Sequence, residues 1–233
     1  MYGLLIVSSL LVLLSASVYD IRTREVPDIH WTMLGMLAVC SWLLDGEFLS
    51  ASACVSMLAC VFMERTHALL CPAIVLIASV FLGSWDSAAI ASTGLAVMVL
   101  YWTGLVKGGA DAKALITISM LFPVWNHGLL WDAEGVMSYL FNPTIGILFS
   151  SLLMSMSYCI VILVRNLRDG NIHRRMLTSY YIDEDEVGRS FVWRAAVTTD
   201  GHVLASPMIP FLPPITVSFI VVVVLGNPML ALV

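Results

Sequence analysis

Residues 2–28 read YGLLIVSSLLVLLSASVYDIRTREVPD. From Tyr2 to Val18 nothing is charged, and the run then breaks into Asp20, Arg22, Arg24, Glu25 and Asp28. A run this long approaches the ~20 apolar residues needed to cross a bilayer. It is therefore either a buried core helix or a membrane span, and the rest of the chain decides between them. Of 233 residues, 60% are hydrophobic and only 12% are charged, and the mean hydropathy is +0.94. A soluble globule of this length must present more polar surface than that. Similar apolar stretches recur to the end of the chain, so a helical membrane bundle is expected. A β-barrel would need short alternating segments instead. The first run lacks the basic n-region of a signal peptide and leads into further hydrophobic segments, so it reads as a retained helix.

Spans are expected at Tyr2–Tyr19, Ile29–Leu44, Phe48–Met63, Ala68–Leu82, Ser87–Val106, Ala112–Trp125, Thr144–Val164 and Ile209–Val233. The third, fourth and sixth are short, which leaves six to eight crossings open. The fold class is thus an all-α polytopic membrane protein of about eight transmembrane helices with a small cytoplasmic subdomain. Residues 1–164 form the membrane-embedded bundle, 165–208 the cytoplasmic loop or subdomain, and 209–233 the last transmembrane helix.

The eleven basic residues test this count. Arg22, Arg24, Arg65, Lys107, Lys113, Arg165, Arg168, Arg174, Arg175, Arg189 and Arg194 all fall on, or at the edge of, alternate connections. The other connections, Asp45-Gly46-Glu47, Gly83 to Asp86 and Asn126 to Pro143, carry none. The positive-inside rule then puts the basic face in the cytoplasm and both termini outside.

The long connection Arg165 to Met208 contains an acidic run, Asp183, Glu184, Asp185 and Glu186. Two apolar-rich stretches follow, on either side of Asp200-Gly201, and predict a β-hairpin. The acidic run reads most simply as a solvated loop; alternatively it steers a basic partner toward this face.

Asp20 and Asp111 are the candidate functional residues. Alone, Asp20 is a charged helix end, and Asp111, in Lys107-Gly108-Gly109-Ala110-Asp111-Ala112-Lys113, is a cap for the helix that follows a glycine-rich break. Together they say more, because the topology puts both at one membrane face although they are far apart in sequence. Facing carboxylates do not both ionise readily; one keeps a proton while the other takes one from water, the arrangement of aspartic peptidases. Glycines beside a carboxylate let backbone or an extended ligand approach closely. No Ser/His or Cys/His pair is comparably placed. Arg22, Arg24, Lys107 and Lys113 stand as electrostatic neighbours of the pair, although each also fits an ordinary inside anchor.

These residues resemble the type IV prepilin peptidases, in particular the archaeal preflagellin (archaellin) and prepilin peptidases. The resemblance rests on Asp20 with Arg22, Arg24 and Val26-Pro27, on Gly108 to Lys113, and on Pro210-Phe211-Leu212-Pro213-Pro214-Ile215-Thr216 opening the last helix. It extends along most of the chain. The family's G-x-G-D motif is matched at Gly108 and Asp111, with Ala110 in place of the second glycine. The resemblance implies that Asp20 and Asp111 are the catalytic pair and that Gly108, Gly109 and Ala110 shape the backbone beside them. It further implies a membrane aspartic endopeptidase that cuts the short basic leader from archaellin or pilin-like precursors at the cytoplasmic face. Bacterial relatives often also methylate the new amino terminus and carry a cysteine-based zinc module. This chain has no such module, so cleavage without methylation is expected.

Two alternatives compete. A presenilin-like intramembrane protease also uses two aspartates but typically carries Pro-Ala-Leu where this chain has Pro213-Pro214-Ile215. A proton- or cation-coupled transporter is the other, since intramembrane acids often mark ion paths. No cofactor or metal is expected, because the five cysteines form no CxxC pair and no His spacing suited to zinc. Nucleic acid is not expected as a partner either, since no unopposed basic cluster exists to meet phosphates. Precursor proteins and membrane lipid are the expected partners, and the sequence leaves the oligomeric state open.

Overall fold

A computed structural model describes residues 2–63, 69–106, 108–125, 128–130, 135–172, 174–183, 193–199, 202–207 and 209–232. Nine α-helices are found among them: α1 Tyr2–Thr23, α2 Ile29–Leu44, α3 Phe48–Met63, α4 Leu70–Leu82, α5 Trp85–Trp102, α6 Gly109–Leu121, α7 Val136–Leu140, α8 Pro143–Arg168 and α9 Leu212–Leu225. Local chemistry sets several boundaries. Gly83 closes α4 at φ 70°, a left-handed conformation that L side chains disfavour. Asn142 opens α8 by accepting from the Ile145 N–H at 3.1 Å, with Pro143 just inside the helix, where its missing N–H costs nothing.

α6 is the central helix. Ala112, Ala114, Leu115, Ile116, Ile118, Met120 and Leu121 are all buried. Its two interior hydroxyls satisfy themselves along the helix, Thr117 donating to the Lys113 carbonyl at 2.9 Å and Ser119 to that of Ile116 at 2.7 Å. A helix that is apolar on every side must be enclosed by others, and α2, α5 and α8 pack around it. The outer helices do the opposite: Leu4 and Leu11 on α1, Ile74 and Phe81 on α4, and Ile160 and Val161 on α8 are large, apolar and exposed. Both α1 and α8 are long and apolar enough to cross a membrane.

The helices alternate in direction, so the bundle has two chemically different ends. At one end the close of α1 meets the start of α9, and the start of α2 meets the start of α6 through Asp28 and Lys113. At the other end the Tyr2 and Trp125 rings lie 6.4 Å apart, the Trp42 indole donates to the Met120 carbonyl, and Asn227 donates to the Asn142 carbonyl. Arg22, Arg24, Lys113, Arg165 and Arg168 belong to the first end, and Asp45, Glu47 and Asp86 to the second.

A three-stranded antiparallel sheet of order β1-β3-β2 follows α8, with β1 Tyr180–Asp183, β2 Trp193–Thr199 and β3 His202–Pro207. Thr199 pairs with His202, so β2 and β3 form the hairpin expected around Asp200-Gly201, with a register shift between Ala195 and Val197. Asn166 ties α8 to the segment that leads into β1 by donating to the carbonyls of Met176 and Ser179, each at 2.8 Å.

Several sequence expectations need correction. The first acidic residue, Asp183, ends strand β1 opposite His202 rather than lying in a loop. Strand β1 itself was not foreseen: only four residues long, it owes its place to pairing with β3. The expected last span, Ile209–Val233, is helical only over Leu212–Leu225, because Gly226 turns at φ 96° and Pro228 opens a short 3-10 helix, Pro228–Leu232. The sixth helix begins at Gly109, so Asp111 lies inside its first turn and does not cap it. α8 runs a turn past Val164, which carries Arg165 and Arg168 into the helix.

Candidate functional site

Asp20 lies on the last turn of α1, and its Oδ2 accepts from the Leu212 N–H at 3.2 Å. The sequence of α9 explains why. Pro213 and Pro214 have no N–H to offer, so Leu212 presents one of the few free donors at that helix start, where the helix dipole also favours an anion. The Phe211 N–H adds a second contact. One turn back, the Ser17 and Thr216 hydroxyls meet at 2.7 Å, both buried, and fix α1 against α9.

Asp111 reaches the same end from another direction. Gly108 precedes α6 in an extended conformation, φ −89° and ψ 124°, and the Gly108 carbonyl accepts the Ala112 N–H at 3.1 Å to start the helix. The Asp111 carboxyl folds back onto Gly108. A Cβ there would stand 2.7 Å from the Asp111 Cγ and closer still to Oδ2. Gly109 is under no such constraint, since a Cβ would find only the Tyr101 hydroxyl at 3.5 Å. Ala110 is helical, and its methyl packs against the core. An alanine at this position therefore fits the backbone without strain.

The two carboxyl groups are close enough to act on one another electrostatically. Each sits at the amino-terminal end of a helix, Asp20 at that of α9 and Asp111 at that of α6. Two acids at one end of a bundle, within electrostatic reach of one another, can serve as acid and base on a substrate that lies between them.

The remaining residues singled out by sequence separate. Arg22 is exposed. Lys107 lies outside the described residues, as do Glu184, Asp185 and Glu186. Lys113 was expected beside Asp111, but its ammonium pairs with Asp28 at 2.6 Å and lies 5.4 Å from the Phe62 ring centroid. The reason is helical geometry: two residues on from Asp111, Lys113 projects from nearly the opposite side of α6.

Three features were not read from sequence. Arg24 has φ 60°, the one non-glycine with positive φ among the described residues. His30, buried at the start of α2, bridges the Ser15 hydroxyl at 3.1 Å and the Pro27 carbonyl at 3.0 Å, bracing the turn that carries Arg24. A cavity of about 430 Å³ opens beside the start of α6, lined by Arg24, Val61, Met98, Tyr101, Ala110 and Ile116 among others. Neither aspartate lines it; it flanks the opposite side of the first turn of α6. Of these, only the His30 bridge had a sequence signal, the compact Pro27-Asp28-Ile29-His30 turn. Among the described residues no three His, Cys, Asp or Glu side chains are grouped as a metal site would need.

Compared with protein-family models and with curated proteins, the chain matches none.

Proposed function

We propose that the chain is a polytopic membrane aspartic endopeptidase, with Asp20 and Asp111 as its catalytic pair, that removes a short basic leader from archaellin or pilin-like precursors at the cytoplasmic face without methylating the product. The observation that carries this reading is the placement of two carboxyls from distant helices, within electrostatic reach of one another, at the basic end of the bundle. The exposed apolar side chains of α1, α4 and α8 suit lipid rather than water. α1 to α6, α8 and α9 serve as eight crossings, with both termini outside. At 13 residues α6 is only about 20 Å long, short of the ~30 Å hydrocarbon core, but it is enclosed by other helices and need not meet lipid along its length.

Hydrolysis needs one carboxyl to donate a proton to the scissile carbonyl and its partner to draw one from water. The helix starts behind both acids supply fixed positive ends that hold the charge of whichever acid is ionised. Leaving the pair at one end of the bundle suits a substrate cut just before its hydrophobic helix enters the membrane. It suits a transport path less well, since that would place an acid at mid-depth.

The test is to incubate membranes holding wild-type, Asp20→Asn or Asp111→Asn protein with a precursor carrying a basic leader. Both substitutions keep size and remove the acid. Cleavage should vanish in each; processing that persists in either ends the assignment.

A further inference from the structure

The cavity beside α6 and the strained Arg24 belong together. Its wall includes Gly109, Ala110, Ala112 and Lys113, so it lies at the same end of the bundle as the candidate pair, across the first turn of α6 from Asp111. Arg24 forms part of the same wall, on the turn that leads away from Asp20. Two observations mark it out. Its backbone is held at φ 60°, a conformation that persists in an arginine only where surrounding structure enforces it. Its Nη1 is enclosed by protein and has no acceptor. An enclosed donor without a partner is costly, so this guanidinium gains by turning its fork toward any acceptor that enters the cavity.

We infer that the cavity is a peptide subsite and that Arg24 holds a main-chain carbonyl of the bound chain there, an inference that rests on the peptidase reading above. The charges favour a neutral acceptor. Four charged residues line the cavity, Arg24 and Lys113 against Glu25 and Asp28, and Lys113 is already neutralised by Asp28 at 2.6 Å. Arg24 makes no ion pair among the described residues, but its charge already acts on Asp20, so a phosphate would meet the Glu25 carboxylate with little free positive charge to hold it, whereas a carbonyl asks for a single donor. Val61, Met98 and Ile116 supply apolar walls for the adjoining side chain.

The test measures binding without turnover. In the Asp111→Asn protein, a labelled peptide spanning the cleavage site is titrated with Arg24 intact or replaced by Gly, which accepts φ 60° freely, or by Asn, which tolerates it. Loss of one charge-assisted hydrogen bond should raise Kd about tenfold to a hundredfold in both variants. Added guanidinium ion should recover part of the affinity in Arg24→Gly, which repair of a merely structural defect would not predict. Short-chain phosphatidylglycerol, titrated in parallel, should bind all three proteins equally. Unchanged peptide affinity, or a loss confined to the lipid, overturns the subsite. Failure of the peptidase reading is seen separately, as cleavage that survives loss of either aspartate.

Discussion

The Asp111 carboxyl occupies the space that a side chain on Gly108 would need. The glycine thus makes room for its neighbour three residues on and does not serve a turn, for its own φ of −89° is open to any residue. Gly108→Ala should fold, because an aspartate side chain can rotate away at little cost, but the displaced carboxyl should lower kcat/KM by about a hundredfold, the scale of a 1 Å misplacement. Gly109→Ala, with only the Tyr101 hydroxyl to meet, should leave the melting temperature unchanged or slightly raised. Precursor cleavage and thermal unfolding of the two variants check the contrast.

Ala110→Gly would place a third glycine in the segment Gly108 to Asp111. It should bring no gain in cleavage and should destabilise the start of α6 by about 0.5–1 kcal/mol, since it removes a packed methyl and adds backbone freedom in a helix. Thermal or denaturant unfolding in detergent reads the loss.

Asp20 holds the start of α9 as well as belonging to the candidate pair, and two substitutions separate these jobs. Asp20→Asn keeps an oxygen for the Leu212 N–H and should retain nearly all stability while cleavage is lost. Asp20→Ala removes the acceptor and should cost a further ~1 kcal/mol, the usual worth of a helix cap. Equal stability in the two variants would show that the Leu212 contact contributes nothing.

The ion pair between Asp28 and Lys113 is short, but the two side chains are 57% and 18% exposed, so solvent screens it. A double-mutant cycle of Asp28→Asn and Lys113→Gln, read by unfolding, should give a coupling of about 0.2–1 kcal/mol that shrinks with salt.

At the junction of α8 and the sheet, Asp169 accepts from the Tyr180 hydroxyl, which with Arg168 holds its carboxyl below the usual aspartate value. Arg165 lies over the Tyr180 ring at 4.2 Å. A depressed folded value means that the contact contributes fully above the ordinary carboxylate range near 3.8 and is lost as pH falls through the lowered value. In an NMR titration, Tyr180→Phe should move the Asp169 midpoint upward, and the amide shifts of β1 should stop following it.

The sequence by itself determined the helical bundle, the alternation of basic and non-basic ends and the two acids worth attention, because apolar run length and charge placement are local properties. It also marked the hairpin, since Asp200-Gly201 between apolar runs is a turn signal in its own right. Tertiary structure alone decided that Asp20 caps α9 and that Lys113 turns to Asp28. Each depends on which helix start arrives beside which side chain, and no spacing along one chain encodes that. Arg24 is the clearest case: its positive φ follows from the turn that joins α1 to α2, and nothing in the residue itself announces it.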